Sequence, residues 1–154
     1  MLTALVLWLV FTWCFGLAQI HGQEMFPALK DGDLCVIYRR QLMDLMGEKV
    51  VRKDVIAYTV DGRRYFGRVA AKAGDIVVID ENGSVMVNGS PDSREILYPT
   101  YPRGELTYPY HVPEGYVYVL GDRRTDTVDS RDLGPVSLDS VEGKVLSILR
   151  RRGL

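Results

Sequence analysis

Hydrophobic and polar positions divide the chain into an apolar head and a body of short alternating segments. The first twenty residues, MLTALVLWLVFTWCFGLAQI, contain no charged side chain and no polar face. Twenty residues form a helix of about 30 Å, which matches the hydrocarbon thickness of a bilayer. The pattern therefore predicts an N-terminal transmembrane helix over residues 1–20.

Two other interpretations of the head stay open. A cleaved signal peptide is one, because residues 16–18 (GLA) have the small-x-small pattern of a cleavage site, although no basic residue precedes the apolar run. A buried core helix is the other, but its polar residues should share one face, and Thr3, Thr12 and Gln19 do not. We expect a membrane anchor.

The body alternates with a period of two or contains short β-branched runs, with no sustained helical period. Asp61-Gly62, between two such runs, is typical of a type I′ hairpin turn. Residues 41–49 alone favour a helical turn. Because the strands do not alternate with helices, they predict a mostly β fold, an antiparallel sheet that is coiled or closed into a barrel. The predicted strands are Leu34–Tyr38, Asp54–Val60, Arg63–Ala71, Ile76–Ile79, Ser84–Val87, Tyr116–Leu120 and Lys144–Leu149.

Proline and tyrosine interrupt the strand pattern between residues 90 and 113. Five of the seven prolines lie there, together with four tyrosines. Since proline donates no backbone hydrogen bond, this stretch is excluded from the centre of a sheet. We interpret it as a packed excursion whose tyrosines cover the sheet. An aromatic surface for an extended peptide is the alternative.

Charge and composition exclude one class of function and support the division of the chain into a head and a folded domain. The 19 basic and 20 acidic residues give a net charge of -1, which excludes nucleic-acid binding driven by bulk charge. All of these charges follow residue 20, and the chain is 47% hydrophobic, as expected of a folded domain. We therefore predict an anchor over 1–20 and one β-rich domain over 21–154 that includes the excursion at 90–113.

Cysteine and histidine do not suggest a site. Cys14 lies in the head and Cys35 in an apolar run, so we expect no disulfide between them. With His21 and His111 added, the spacing does not supply a set of metal ligands. We expect neither a metal nor another cofactor.

Three stretches of the body stand out together. They are GQEMFPALKDGD at 22–33, YFGRVAAKAGD at 65–75, and GDRRTDTVDSR at 121–131, the last followed by Gly134. In this order, behind an apolar head, they resemble the motif boxes of type I signal peptidases. The third stretch resembles its box most closely, and the likeness extends from about residue 20 to the C-terminus.

This resemblance implies a β-rich domain tethered outside the cytoplasmic membrane and a Ser/Lys dyad that cleaves signal peptides. A neutral lysine amine removes the serine proton, so that the serine attacks the scissile carbonyl. Active members have S-M-x-P in the first motif and K-R in the second.

Both dyad positions differ in this chain. The nucleophile position holds Glu24 and the base position holds Gly67. A carboxylate attacking an amide gives a readily reversed mixed anhydride, and glycine has no side chain. Lys72 lies an odd number of residues further along the strand and should face the other way. Lys49 and Lys53 stay open as migrated bases, but they have no serine to activate.

Some of the remaining motif positions also differ from the family pattern, while the charged residues Asp122, Arg124, Asp129 and Arg131 keep the expected types. Thr127 stands where a serine commonly hydrogen-bonds the lysine, while Arg123 replaces an asparagine, and Ala71 and Ala73 replace a glycine and a proline. We interpret the charged residues of the third motif as carboxylate–guanidinium pairs that hold a loop against the sheet. The predicted site comprises Glu24, Gly67, Met25, Pro27, Arg68, Asp122, Arg124, Thr127, Asp129, Ser130 and Arg131.

Glu24 itself has three interpretations. It is a solvated carboxylate at a decayed site, or a carboxylate near Met25 and Phe26 that recognises a basic group or a peptide amide. The third interpretation is an acid/base role with Asp129, which requires two carboxyls of different pKa.

Loss of both dyad residues, with the basic ending Arg150-Arg151-Arg152, resembles the inactive signal-peptidase-like accessory proteins of sortase-assembled pili in Gram-positive bacteria, especially streptococci. This resemblance implies an accessory factor that binds a pilin or the sortase without cleaving it. Two alternatives stay open. One is an active signal peptidase with unconventional residues, and the other is a domain that holds an extended peptide as an added β-strand.

Two features of the sequence predict opposite orientations in the membrane. Lys30, Arg39 and Arg40 follow the head and by count favour a cytoplasmic body. The resemblance implies the opposite, a single-pass membrane protein with its β domain on the extracellular side. We expect the extracellular placement.

Overall fold

Strands dominate the computed structural model, which describes residues 2–92 and 98–149. Within these residues the helices are α1 (Leu2–Cys14), α2 (Arg40–Met46) and α3 (Ser130–Leu133), and a 3₁₀ turn covers Leu138–Ser140. The strands are β1 (Phe15–Gln19), β2 (Leu34–Arg39), β3 (Val55–Val60), β4 (Arg63–Lys72), β5 (Ile76–Ile79), β6 (Val85–Val87), β7 (Ser90–Pro91), β8 (Tyr110–His111), β9 (Tyr116–Leu120), β10 (Val136–Ser137) and β11 (Val141–Leu149). The Arg150–Arg152 run lies outside the described residues.

The strands of the described residues form two sheets. The larger has the order β1-β2-β11-β3-β4-β9-β10 and the smaller the order β7-β6-β5-β8. Every strand pair is antiparallel. The prediction of a mostly β, antiparallel fold is therefore confirmed.

Local sequence explains the turns that join these strands. Asp61 and Gly62 have φ of +49° and +74°, the two positive values that a type I′ turn requires between β3 and β4. α2 ends at Met46 and is capped by Gly47, whose φ of +68° lets Glu48 N–H donate to the Met43 carbonyl at 2.8 Å.

The excursion contributes the edges of the smaller sheet. Ser90–Pro91 form β7 and Tyr110–His111 form β8, and these are the two outer strands. Tyr108 and Tyr110 pack against the core of this sheet, as expected of tyrosines that cover it. Residues 93–97 of the excursion lie outside the described part of the chain.

The head differs from its prediction. α1 ends at Cys14, and Phe15–Gln19 pair with β2 instead of continuing the helix. Gly16 disfavours helix, and its missing side chain lets Arg39 pack closely, since a Cβ there would lie 3.3 Å from Arg39 Nε. The prediction of one helix over residues 1–20 was wrong for this reason. No helix within 2–92 and 98–149 combines the length and apolar character needed to cross a bilayer.

The two faces of the larger sheet carry different apolar clusters. One cluster joins Ile56, Tyr58, Val69 and Val119 on the face toward which Gly67 points. The other face packs Phe66 against the first motif, where Met25 and Leu29 are buried. The first and second motifs therefore meet across β4.

Candidate functional site

The first motif is fixed to the sheet by its apolar side chains. Met25 and Leu29 are 1% and 2% exposed and pack with Ile20 and Cys35. Leu29 N–H donates to the Met25 carbonyl at 2.8 Å. Pro27 is exposed and follows a cis peptide bond. Met25 thus holds the segment in place beside Glu24.

Glu24 is half-buried and touches the third motif through its backbone. Its carbonyl accepts a hydrogen bond of 2.9 Å from Arg123 N–H, and the adjacent Gln23 side chain accepts one from the Arg123 guanidinium. The Glu24 carboxylate lies over Gly22, where a Cβ would meet its oxygens at 2.5 and 2.7 Å. Among the described residues, this carboxylate has no hydrogen-bond or ion-pair partner.

The space beside Gly67 is already filled. A Cβ at Gly67 would overlap Val119 Cγ1 and would lie 3.5 Å from Tyr58 Cε1 and 3.6 Å from the Leu120 carbonyl oxygen. Tyr58 and Val119 are both 0% exposed. A larger residue at position 67 therefore requires movement of the core.

Arg68 connects the second motif to the third. Its guanidinium donates to both carboxylate oxygens of Asp122, at 2.8 and 2.6 Å. A third hydrogen bond, of 3.1 Å, runs from Arg68 to the Lys53 carbonyl. This is a bidentate, charge-assisted pair that fixes the start of the third motif on β4.

The centre of the third motif is a buried ion pair between Asp129 and Arg131. Arg131 donates to both oxygens of Asp129, at 2.9 and 2.7 Å, and is 1% exposed. Burial alone would lower the pKa of Arg131, but the hydrogen bonds and charge of Asp129 raise it above its ordinary value. The same Asp129 carboxylate accepts hydrogen bonds from Gly121 N–H and the Thr127 hydroxyl, at 3.1 and 2.9 Å. Both oxygens of the Asp129 carboxylate therefore already accept hydrogen bonds within the motif, which argues against an acid/base role for Asp129.

Thr127 is held within this network. Its hydroxyl donates to Asp129, and a Cβ at Gly121 would overlap the Thr127 methyl group. Glycine at position 121 therefore lets the loop close on Thr127. Neighbouring Ser130 accepts a hydrogen bond of 2.9 Å from Val119 N–H and is also fully buried.

Arg124 ties the third motif to the excursion. It donates to the Asp92 carboxylate at 2.9 Å, to the Thr100 hydroxyl at 2.7 Å and to the Gly121 carbonyl at 2.9 Å. Arg103 also reaches the Thr127 carbonyl, at 2.5 Å. Sequence reasoning missed these excursion residues, because their polar types alone do not show what they contact.

The lysines considered as migrated bases lie elsewhere. Lys49 and Lys72 line a cleft of about 400 Å³ with Met43 and Glu114. Lys53 contributes its backbone carbonyl to Arg68. The structure thus brings the predicted motif residues together around β4 and β9 but gives position 67 no amine. Among the described residues, no group of three or more acidic, Cys or His side chains is arranged to hold a metal ion.

Tyr58 and Val119 are the site residues that sequence reasoning assigned only to strands. Both face Gly67, and the Tyr58 hydroxyl is buried with no hydrogen-bond partner among the described residues. The strand register would have found both. Ile56 pairs with Gly67 and places Tyr58 on the same face, while Val69, which shares the face of Gly67, pairs with Val119.

Comparison with known proteins finds similarity to signal peptidases and related membrane proteases. The family model described as signal peptidase, peptidase S26, matches residues 1–149. Signal peptidase I of Bacillus caldolyticus is 29% identical over 139 residues, which are 82% of this chain and 74% of that protein. Mitochondrial inner membrane protease subunit 1 of Saccharomyces cerevisiae is 25% identical over 140 residues, covering 90% of this chain and 70% of that protein.

Two further similarities cover different shares of the chains. The probable thylakoidal processing peptidase 2 of Arabidopsis thaliana is 35% identical over 80 residues, but this chain spans only 21% of its length. The crystal structure of a signal peptidase I from Enterococcus faecalis V583 matches with a TM-score of 0.53 and 30% identity. That match covers 65% of this chain and 98% of the other.

Proposed function

This chain belongs to the signal peptidase family, peptidase S26, with a signal peptidase I-like fold, but it has Glu24 and Gly67 at the two dyad positions, and we propose that it is a non-proteolytic accessory factor in sortase-dependent pilus assembly. It binds a pilin or the sortase, and its β domain lies on the extracellular side of the membrane. The alternative is an active signal peptidase that uses unconventional residues.

The observation that carries this proposal is the combination at positions 24 and 67. Glu24 stands where the family's nucleophile is expected, and Gly67 stands where its base is expected. The volume beside Gly67 is occupied by Val119 and Tyr58. Without a serine hydroxyl and without an amine in this pocket, the proton transfer that activates the nucleophile has neither donor nor acceptor.

The Glu24 carboxylate, held beside an assembled third motif, supports a binding role. The Asp129–Arg131, Arg68–Asp122 and Arg124–Asp92 pairs keep the third motif assembled. Glu24, half-buried and unpaired among the described residues, offers a carboxylate to a basic group or peptide amide of a partner segment. The resemblance to pilus accessory proteins supports a pilin or sortase as the source of that segment.

A cleavage assay tests the absence of proteolysis. The purified full chain is mixed with a signal-peptide substrate, and the Glu24→Ala variant serves as the control. We expect no cleavage by either protein. Any cleavage by the native chain would contradict the non-proteolytic assignment. Its persistence in Glu24→Ala would point to a nucleophile elsewhere, and its loss in that variant would point to Glu24.

Photocrosslinking tests the partner. A photoreactive residue at position 24 should capture a pilin or the sortase in cells that assemble pili, whereas the same residue at exposed Glu81, in the turn between β5 and β6, should not. Equal capture at both positions, or capture of neither protein, would contradict the proposed partner. Loss of piliation in a Glu24→Gln strain with normal protein levels would support it.

The second candidate, an active peptidase, is favoured by the third motif, which stays assembled in the structure, and by the relatives named signal peptidase. Complementation of a peptidase-deficient strain distinguishes the two functions. We expect no rescue, and rescue would replace the accessory function with the enzymatic one.

A further inference from the structure

The segment between α2 and β3 runs alongside the end of β4 and carries several cations. Lys53 N–H donates to the Val69 carbonyl at 2.8 Å, and the Arg52 guanidinium donates to the Ala70 carbonyl at 2.9 Å. The part of β4 beside this segment, residues 69–72, is about 10 Å long. The cations along it are Lys49, Arg52, Lys53 and Lys72, which we call the basic ribbon.

The basic ribbon presents its charges to solvent. Lys49, Lys53 and Lys72 are exposed, and Arg52 is half-buried. Within residues 2–92 and 98–149, none of the four side chains has an ion-pair partner. A partner that approaches this surface therefore meets positive charge that the fold itself does not use.

Neighbouring carboxylates do not neutralise the basic ribbon. The nearby aspartates already have partners, in the pairs Asp44–Arg40, Asp54–Lys144 and Asp122–Arg68 and in the hydrogen bonds from Lys72 N–H and the Asn88 amide to buried Asp75. Glu48 lies 3.9 Å from Lys144, and Glu114 has no ion pair among the described residues. The four cations outnumber these two glutamates.

Lys53 adopts a backbone conformation that costs folding energy. Its φ of +78° lies in the left-handed region, which a residue with a Cβ disfavours and glycine adopts freely. Among the described residues, the hydrogen bonds of Lys53 use only its backbone. A lysine kept at a strained position, with its side chain unused within the fold, indicates a role for that side chain outside the fold.

A cleft beside the basic ribbon supplies apolar contacts. It has a volume of about 400 Å³, within the range of ligand pockets, and Lys49 and Lys72 line it together with Met43, Val117 and Leu138. Met43 and Val117 are each 1% exposed, so these parts of the lining are fixed by the core. A concave cleft of this size fits a projecting side chain better than it fits the flat surface of a bilayer.

We propose that the basic ribbon and its cleft bind a protein segment in which acidic and apolar side chains alternate. Its carboxylates face the cations of the ribbon, and an apolar side chain enters the cleft. This inference goes beyond the proposed function and does not rest on it, because Glu24 offers a negative charge and the ribbon offers positive ones. Lys49, Lys53 and Lys72, considered above as migrated bases, thereby act in binding.

Fluorescence anisotropy of a labelled peptide tests the charge contact. The probe is a heptapeptide with capped ends in which leucine and glutamate alternate, and its counterpart has glutamine in place of glutamate. The full chain should bind the glutamate peptide more tightly. Lys72→Gln should weaken that binding by about two- to fivefold, as expected for one exposed ion pair. Arg63→Gln removes the same charge at the opposite, exposed end of β4 and should leave it unchanged.

Substitutions at position 53 separate binding from folding. Lys53→Gln and Lys53→Gly should both weaken binding of the glutamate peptide by about two- to fivefold, because both remove the charge. Lys53→Gly should also keep or raise the Tm, because glycine relieves the left-handed strain. A lower Tm in Lys53→Gly with unchanged peptide binding would overturn the proposal and give Lys53 a purely structural role.

The cleft has its own test. Tyr116 lines it and is 38% exposed, so Tyr116→Ala should weaken binding of both peptides while the Tm checks that the domain stays folded. Unchanged binding of both peptides to the folded Tyr116 variant would contradict the apolar contact.

Three further outcomes would overturn the proposal. The first is equal binding of the native chain to the glutamate and glutamine peptides. The second is an equal effect of Lys72→Gln and Arg63→Gln. In the third, Lys72→Gln weakens binding of a short-chain phosphatidylglycerol but not of the peptide, which would assign the basic ribbon to lipid. Glu24→Gln should leave peptide binding unchanged, so that failure of this proposal and failure of the proposed function are distinguishable.

Discussion

Arg68 and Asp122 form a two-point ion pair, with hydrogen bonds of 2.8 and 2.6 Å, that joins the second motif to the third. Their side chains are 20% and 13% exposed, so water screens the pair only in part. Arg68 directly follows Gly67 and points to the other face of β4. This link therefore holds the two motifs together without any side chain at position 67.

Arg68→Ala should destabilise the domain by about 1.5–3 kcal/mol, the range for charge-assisted hydrogen bonds, because Asp122 would lose two of its donors. Urea unfolding measures this loss. Asp126→Ala is the matched control, since the Arg123–Asp126 pair exposes 61% of the aspartate and should contribute less than about 1 kcal/mol. Equal losses in the two variants would show that the Arg68 pair is no stronger than a surface pair.

Gly67→Lys should destabilise the domain by about 1–3 kcal/mol through overpacking against Val119. The combination of Glu24→Ser with Gly67→Lys should not restore signal-peptide cleavage, because the new amine has no formed pocket. Val119→Ala removes the overlapping methyl group and should recover part of the stability lost in Gly67→Lys. A double-mutant cycle of urea midpoints measures this coupling, and additive effects would contradict the filled-pocket explanation.

Two buried tyrosines should respond oppositely to loss of their hydroxyls. Burial raises the pKa of both Tyr58 and Tyr118. The Tyr58 hydroxyl has no partner among the described residues, whereas Tyr118 shares a hydrogen bond of 2.6 Å with Tyr108. Tyr58→Phe should leave stability unchanged or raise it, and Tyr118→Phe should lower it by about 1 kcal/mol. Thermal and urea unfolding of the two variants give the comparison, and the reverse order would contradict it.

Glu142 should make a small, pH-dependent contribution to stability. Burial raises the pKa of its carboxyl, but hydrogen bonds from Arg64 and Thr59 outweigh burial and lower the pKa below the ordinary 4.5. A carboxyl whose pKa is lower in the folded state stabilises above its unfolded pKa, and this contribution disappears as the pH falls through the lowered value.

Glu142→Gln should therefore lower stability at pH 7 by less than about 1 kcal/mol, because its partner Arg64 is half exposed. The difference from the native chain should shrink as the pH falls below 4.5. Unfolding curves at several pH values provide the test. If the stability difference between the native chain and Glu142→Gln grew as the pH fell, the predicted pH dependence would be contradicted.

Strand prediction succeeded where alternation coincided with a diagnostic turn. Asp61-Gly62 fixed the β3–β4 hairpin, since both residues adopt positive φ. The apolar head was harder, because a run without charge is compatible with a helix and also with a buried or edge strand. Gly16 was the local indication that the helix would end, but only its pairing with Ile37 in β2 identifies the following segment as a strand.

The candidate site was predictable as a set of motifs rather than as a set of contacts. Residue types in the third motif suggested carboxylate–guanidinium pairs, and the structure shows Asp129 and Arg131 in contact. The partners of Arg124 come from the distant excursion, so no pattern within the motif contains them. The filling of the Gly67 pocket depends on packing between β3, β4 and β9, which local periodicity does not describe.

β1 separates the first motif, which contains Glu24, from the end of α1. Its five residues extend for about 17 Å before the chain turns into the first motif. Under the proposed function, with α1 at the bilayer, a membrane-held partner would need about five extended residues outside the lipid to reach Glu24. The proposal then predicts that partners are selected by the length of their membrane-proximal segment as well as by their charge.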